Sequence, residues 1–228
     1  MARVIWILVI NCAGQLMHLI LNNTFFKVFY NAELMVKIDY KEELEIKDYR
    51  EIPTDEIGGR FESVVNDNEW LCYGYHGFPV VDRFPLYSRR YANCCGVGLL
   101  KDWQRVFANI GGLTHYFLKG EPKSPHIYLF DVLFLMGFFR HGPEGFKAAV
   151  IGGDREHFET IKRELEEEYH IQVLGEYCDG WGDGEEIPKR EFKKPAHTWK
   201  KAHKELLVIP ETQEVLMYAA NVGYRKLI

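Results

Sequence analysis

The feature that most constrains this chain is the order in which strand-like and helix-like patterns follow one another between residues 36 and 218. Residues 36–40 alternate apolar and polar at Val36, Ile38 and Tyr40, the period of a half-buried strand. Residues 51–59, EIPTDEIGG, read as a loop punctuated by Pro53 and Gly58-Gly59. Short strands are predicted over 70–75 and 78–81 with a turn at His76-Gly77, then a buried strand over 92–100, a connection over 102–109 and a strand over 113–118. The helical pattern begins only after these. Ser124 is a cap candidate, Pro125 suits the first helical position and Gly142 a stop, and the intervening run is apolar nearly all round, which predicts deep burial. A strand ending at Gly152-Gly153 follows, then an amphipathic helix with Phe158, Ile161, Leu165 and Tyr169 on one stripe. After a strand over 171–177 and a polar Gly- and Pro-rich loop, two strands flank a turn at Pro210-Glu211-Thr212. Strands, helix, strand, helix, strands is the signature of an α/β (α+β) fold, a layered sandwich of mixed β-sheet with packed helices.

The 228 residues suit one principal domain, and 47% hydrophobic content is enough to build a buried core. The net charge of −5 lacks the basic excess that a nucleic-acid or anionic-membrane partner calls for. The five cysteines, Cys12, Cys72, Cys94, Cys95 and Cys178, are odd in number and irregular in spacing. They read as neither a disulfide framework nor a thiolate zinc site, and a reducing, cytoplasmic compartment fits them best.

The first 34 residues stand apart as an apolar leader or N-terminal extension, with residues 35–228 as a single domain. The run from Val4 to Ile10 has the make-up of a signal or membrane segment, but Asn11, Gln15 and His18 interrupt it. Three readings stay open: an extra leader or a start at Met35, a folded core strand, and export. No membrane contact is expected of the domain that follows.

The chemistry-bearing candidates are few. Gly152-Gly153-Asp154 follows a strand but lacks any phosphate-loop pattern, so it reads as a structural turn. The nine histidines form no metal motif, and His126, His141, His157, His197 and His203 lie in polar or helix-edge contexts that suit solvated side chains. His115 differs, because it sits among apolar neighbours on a predicted strand, GGLTHYFLKG. The strand before it carries Cys94-Cys95 in NCCGVGLLKD. Neighbouring strands can bring a thiol and an imidazole together, and such an imidazole lowers the thiol pKa and carries its proton. Because consecutive strand side chains face opposite ways, one cysteine of the pair is expected to react and the other to pack. Cys95 is assigned the first role and Cys94 the second.

This order of residues resembles the chemoreceptor glutamine deamidase (CheD-like) family. The resemblance runs from Asn93-Cys94-Cys95 and GVGLLKD through GGLTHYFLKG, and on through IYLFDVLFLMGFFRHG, FKAAVIGG, TIKRELEEEYHIQVLGEYCDGWG and ELLVIPETQEVLM, roughly residues 86 to 218. Cys95 falls on the family's catalytic cysteine, with Asp102 seven residues on, and His115 on its catalytic histidine after a slightly longer connection. The chain departs from the pattern at several points. Cys94 replaces the serine before the nucleophile, and Arg89 stands where the family has a catalytic threonine, leaving only Ser88 beside it with a hydroxyl. GGDREHF is a shortened segment, and Leu118-Lys119 replaces Leu-Pro.

The resemblance implies a CheD-like layered fold and hydrolysis of a protein glutamine side-chain amide to glutamate and ammonia. Cys95 would be the nucleophile and His115 the acid and base, with no metal and no cofactor. The partner would be a protein substrate presenting a glutamine, and a regulatory protein partner is a further expectation. Two alternatives stand beside it. One is a catalytically inactive CheD-like protein-binding module, which the missing threonine favours. The other is a glycosyltransferase of the WecG/TagA type, faintly suggested by HGFPVV and GFKAAVIGG, whose Asp-Gly motif reads His76-Gly77 here.

Overall fold

The structure is a computed structural model. It describes residue 50, residues 52–74, 79–89, 91–92, 94–103, 108–116, 125–181 and 203–228, and the backbone of 20–21 and 24–25. The strand expected over 36–40, the His76-Gly77 step, the Ser124 cap, His126's side chain, His197 and the loop after residue 181 lie outside these residues. The chain divides into two compact units, Met1–Ile52 and Pro53–Ile228. Of the first unit, an antiparallel pair is described, β1 (Ile20–Leu21) with β2 (Thr24–Phe25).

The second unit opens with α1 (Glu56–Asp67) rather than the expected loop. Asp55 caps this helix by accepting the Gly58 amide at 2.7 Å, which satisfies one of the amides every helix start leaves unpaired. Ile57, Phe61, Val64 and Val65 then recur at helical spacing and pack into one cluster. That buried stripe outweighs the poor helix propensity of Gly58-Gly59.

The strands β3 (Cys72–Tyr73), β5 (Leu86–Arg89), β10 (Lys204–Ile209), β11 (Glu214–Ala219) and β12 (Gly223–Lys226) form one described sheet in the order β12-β11-β10-β5-β3. The other runs β4 (Val80–Asp82), β7 (Ile110–Tyr116), β6 (Cys95–Lys101), β8 (Phe146–Gly152), β9 (Gln172–Cys178). Pairing is antiparallel except for β3–β5 and β8–β9, so both sheets are mixed.

The sheets face each other. A Cβ added at Gly98 of β6 would lie 2.9 Å from Val208 of β10, and one at Gly111 of β7 would lie 2.9 Å from Pro210. Behind the first sheet, Tyr87, Leu207 and Leu216 pack on Phe61 of α1. Behind the second, Val97 and Leu99 pack with Leu129, Val132 and Leu133 of α2 (Pro125–Leu135) and with Phe158 and Ile161 of α4 (Arg155–Arg163). The result is a four-layer α/β/β/α arrangement, the mixed layered sandwich that the element order predicts. With both faces covered, all seven residues of β6 are buried.

Three local expectations are corrected. The apolar helix is not buried all round, since Phe130 and Phe134 of α2 and Phe139 of the short helix α3 (Phe138–His141) are 47%, 40% and 49% exposed. α2 is the outermost layer, and one side of a helix is all that a sheet can cover. His203 is buried, against the expectation of a solvated side chain, because its ring is hydrogen-bonded to buried Glu205 at 2.6 Å. Cys72 is disulfide-bonded, which the irregular cysteine spacing did not suggest. Gly152-Gly153-Asp154 is a structural turn, with Asp154 capping α4 by accepting the His157 amide at 2.9 Å. No helix among the described residues is long and apolar enough to cross a membrane.

Candidate functional site

The strands β6 and β7 do run side by side, as the thiol–imidazole reading needs. Their register pairs Cys95 with Tyr116 and Gly96 with His115. Directly opposed residues share a face and successive residues alternate, so Cys95 and His115 lie on opposite faces of the sheet.

The surroundings of each confirm this. Cys95 is fully buried on the helix side with Val97, Leu129 and Phe158. Its Sγ lies 3.9 Å from the Asp154 carbonyl oxygen, and a Cβ at Gly152 would sit 2.9 Å from it. Burial pushes its thiol far above the ordinary range, with the neighbouring thiols and Asp154 adding to the effect. His115 points into the space between the sheets, where Nδ1 is 3.1 Å from Ser88 Oγ of β5 and the ring stacks on Tyr91 at 4.0 Å. The pair expected from sequence is therefore not brought together. A single-residue step in register moves a whole strand's side chains to the other face, and the spacing between Cys95 and His115 does not set that step.

The other cysteine takes the place. The Gly153 amide donates to the Cys94 carbonyl at 3.3 Å, which carries the β6–β8 pairing one residue beyond β6 and keeps the alternation in force. Cys94 thus shares the face of Gly96 and His115, a diagonal step of about 7–8 Å between backbone positions. It is 6% exposed, and its thiol acts electrostatically on both Tyr91 and Cys95. Of the two cysteines, Cys95 is the one packed on the helix side, and Cys94 is the one whose strand position falls on the His115 face.

A relay of hydrogen bonds fixes the imidazole. Tyr91 Oη donates to the Thr114 carbonyl at 3.2 Å. That phenol is fully buried; burial drives its pKa well up, while a hydrogen bond with Ser88 opposes the rise. With its proton committed to Thr114, the phenol oxygen accepts from Ser88, and Ser88 Oγ accepts in turn from His115 Nδ1–H. This assignment leaves His115 Nε2 as the basic nitrogen. Besides His115 itself, the feature of the relay legible in the sequence was the Ser88 hydroxyl. Arg89, the position where the resemblance led one to expect a threonine, lies opposite Glu205 in the strand register, on the other face of β5 from Ser88.

A second set of polar groups opens β10. Lys204 is 1% exposed, and its Nζ donates to the Ala92 carbonyl at 2.7 Å and to Asp179 Oδ2 at 2.6 Å. Burial lowers its pKa and Asp179 opposes the fall. On the α1 side, buried Glu205 accepts from Tyr87 Oη at 2.5 Å and lies 2.6 Å from His203 Nε2. Sequence reasoning passed over this group, although His203-Lys204-Glu205, three ionisable residues opening an apolar strand, was a visible signal. Asp102, singled out in the sequence by the resemblance, lies just past the far end of β6, where its amide donates to the Gly145 carbonyl at 3.0 Å. Among the described residues no group of three or more His, Cys, Asp or Glu could hold a metal ion.

No family model matches the chain, and no curated protein matches it.

Proposed function

We propose that this protein is a thiol-dependent amide hydrolase of the glutamine-deamidase kind, with Cys94 rather than Cys95 as its nucleophile. The observation that carries the reading is the Ser88–His115 hydrogen bond on the face that Cys94 shares. A nucleophile, a base and a group that orients the base are the parts such chemistry requires. His115 Nε2 takes the Cys94 thiol proton, and the thiolate attacks the amide carbon of a substrate glutamine. The tetrahedral adduct collapses as His115 returns the proton to the departing nitrogen, releasing ammonia and leaving a thioester. Water, deprotonated by the same nitrogen, then yields glutamate and the free thiol. The partner in this reading is a protein that presents a glutamine, and the chemistry needs neither metal nor cofactor.

One observation favours the alternative, a binding module without chemistry: Tyr91, His115 and Cys94 are only 0%, 5% and 6% exposed. Incubation with unfolded casein separates the two readings. A hydrolase releases ammonia and adds about one dalton per converted glutamine. Activity is abolished in Cys94→Ala and retained in Cys95→Ala. Loss in Cys95→Ala with retention in Cys94→Ala would overturn the assignment, and silence from the native protein on glutamine-bearing proteins favours the module.

A further inference from the structure

Lys204 is a cation almost wholly withdrawn from water. Burying an ammonium is expensive unless it is paired and hydrogen-bonded, and this one is both. What it holds is informative. One partner is Asp179, just after β9. The other is the carbonyl of Ala92, two residues before Cys94. The backbone of the same lysine also accepts the Tyr91 amide at 3.2 Å. Lys204 therefore grips the segment that bears both Tyr91, whose ring stacks on His115, and the Cys94 thiol. Along β10 it faces the interior of the sandwich with Leu206 and Val208, whereas Glu205 faces α1.

We propose that Lys204, neutralised by Asp179, is a positioning residue that fixes Tyr91 and Ala92, and through them the place of Cys94 on the sheet face it shares with His115. The inference rests on the hydrolase reading for its consequence in turnover, but not for its geometry. A rigidly held nucleophile matters because a misplacement of about 1 Å can reduce a rate about a hundredfold.

Lys204→Met removes the ammonium and keeps both the backbone bond to Tyr91 and most of the side-chain volume. The readout is the pH profile of Cys94 alkylation by iodoacetamide, followed by peptide mass mapping with added glutathione as the reference thiol. In the native protein a thiol paired with His115 keeps reacting near pH 6. In Lys204→Met that low-pH limb falls about tenfold while the glutathione rate is unchanged, and kcat for ammonia release falls about a hundredfold with KM held within about twofold.

If the native protein shows no low-pH limb, the hydrolase reading fails by itself. The positioning role then stands if Cys94 alkylation in Lys204→Met changes about tenfold through loosening of the segment. An unchanged Cys94 profile in a folded Lys204→Met protein overturns it. Should that variant not fold, Lys204→Met with Asp179→Leu removes both charges together and relieves the unpaired carboxylate. A native-like Cys94 profile in the double variant would reduce the pair to a structural ion pair and overturn the proposal, and a shifted profile would sustain it.

Discussion

Gly96→Ala is the most discriminating single change this structure offers, because two physical effects of opposite sign meet there. A glycine in extended β6 backbone that becomes alanine ordinarily stabilises a protein by about 0.4–1 kcal/mol, since the unfolded chain loses freedom. Here the added Cβ would lie 2.3 Å from Tyr91 Cε1, 2.7 Å from Cζ and 3.0 Å from Oη. Carbon pairs sit comfortably at about 3.5–4.0 Å, so the ring must move by more than 1 Å. It has nowhere easy to go: Tyr91 is fully buried, and the His115 ring lies 4.0 Å from it. Overpacking of this kind is worth about 1–3 kcal/mol, and loss of the Tyr91–Thr114 hydrogen bond adds about 1 kcal/mol. The entropic gain offsets only part of that, so the expected net destabilisation is about 2–3 kcal/mol.

Urea unfolding measures it as a lowered midpoint at unchanged slope. In parallel, the proton resonances of His115 shift as the stacked ring moves off its face. Repeating the substitution in a Tyr91→Ala background supplies the control. With the ring gone the clash vanishes, and the cycle shows a coupling of about 2 kcal/mol. A Gly96→Ala protein as stable as the parent, or a loss that persists unchanged without the Tyr91 ring, would refute the inter-sheet placement of Gly96, Tyr91 and His115. The face assignment of Cys94 would fall with it.

Other consequences can be read alongside. Native protein treated with iodoacetamide at neutral pH takes up label at Cys178 but none at Cys95, whose sulfur is fully buried and whose pKa burial pushes far up; uptake at Cys95 before unfolding would contradict its helix-side placement. Glu205→Ala strands Tyr87 and His203 in the core, so a loss of about 3 kcal/mol in urea titration is expected, and a neutral result would remove the buried network. Burial alone would raise the pKa of Glu214, but hydrogen bonds from Lys226 and Thr212 and the charges of Arg60 and Lys226 outweigh it and leave the group lowered. A carboxylate lowered on folding contributes stability that is whole above its unfolded value, 4.5, and is lost as pH falls through the folded value. Glu214→Gln is therefore expected to flatten the stability profile below that pH, as measured by urea midpoints across an acid series.

What the sequence settled by itself about this protein is what short-range periodicity and turn chemistry settle. The buried run that becomes β6, the strand that ends at Gly152, the Phe158–Ile161–Leu165 stripe of α4 and its continuation, and the hairpin around Pro210 were all legible. Each is specified by residues within a few positions of one another, and together they dictated a mixed layered sandwich. Helix α1 was not legible, because Pro53 and Gly58-Gly59 speak locally for a loop. The stripe through Phe61 acquires its meaning only from Tyr87 and Leu216, far along the chain.

The site divided in the same way. The sequence marked out the Cys94-Cys95 pair, His115 and the Ser88 hydroxyl, but which cysteine shares a face with the imidazole depends on strand register. That register is held by contacts that no local pattern encodes. The Tyr91 ring is seated against Gly96, Ser88 reaches His115 from the other sheet, and Lys204 ties Ala92 to β10. A step of one residue reverses every side chain of a strand, so tertiary packing alone decided which cysteine shares the His115 face of the sheet.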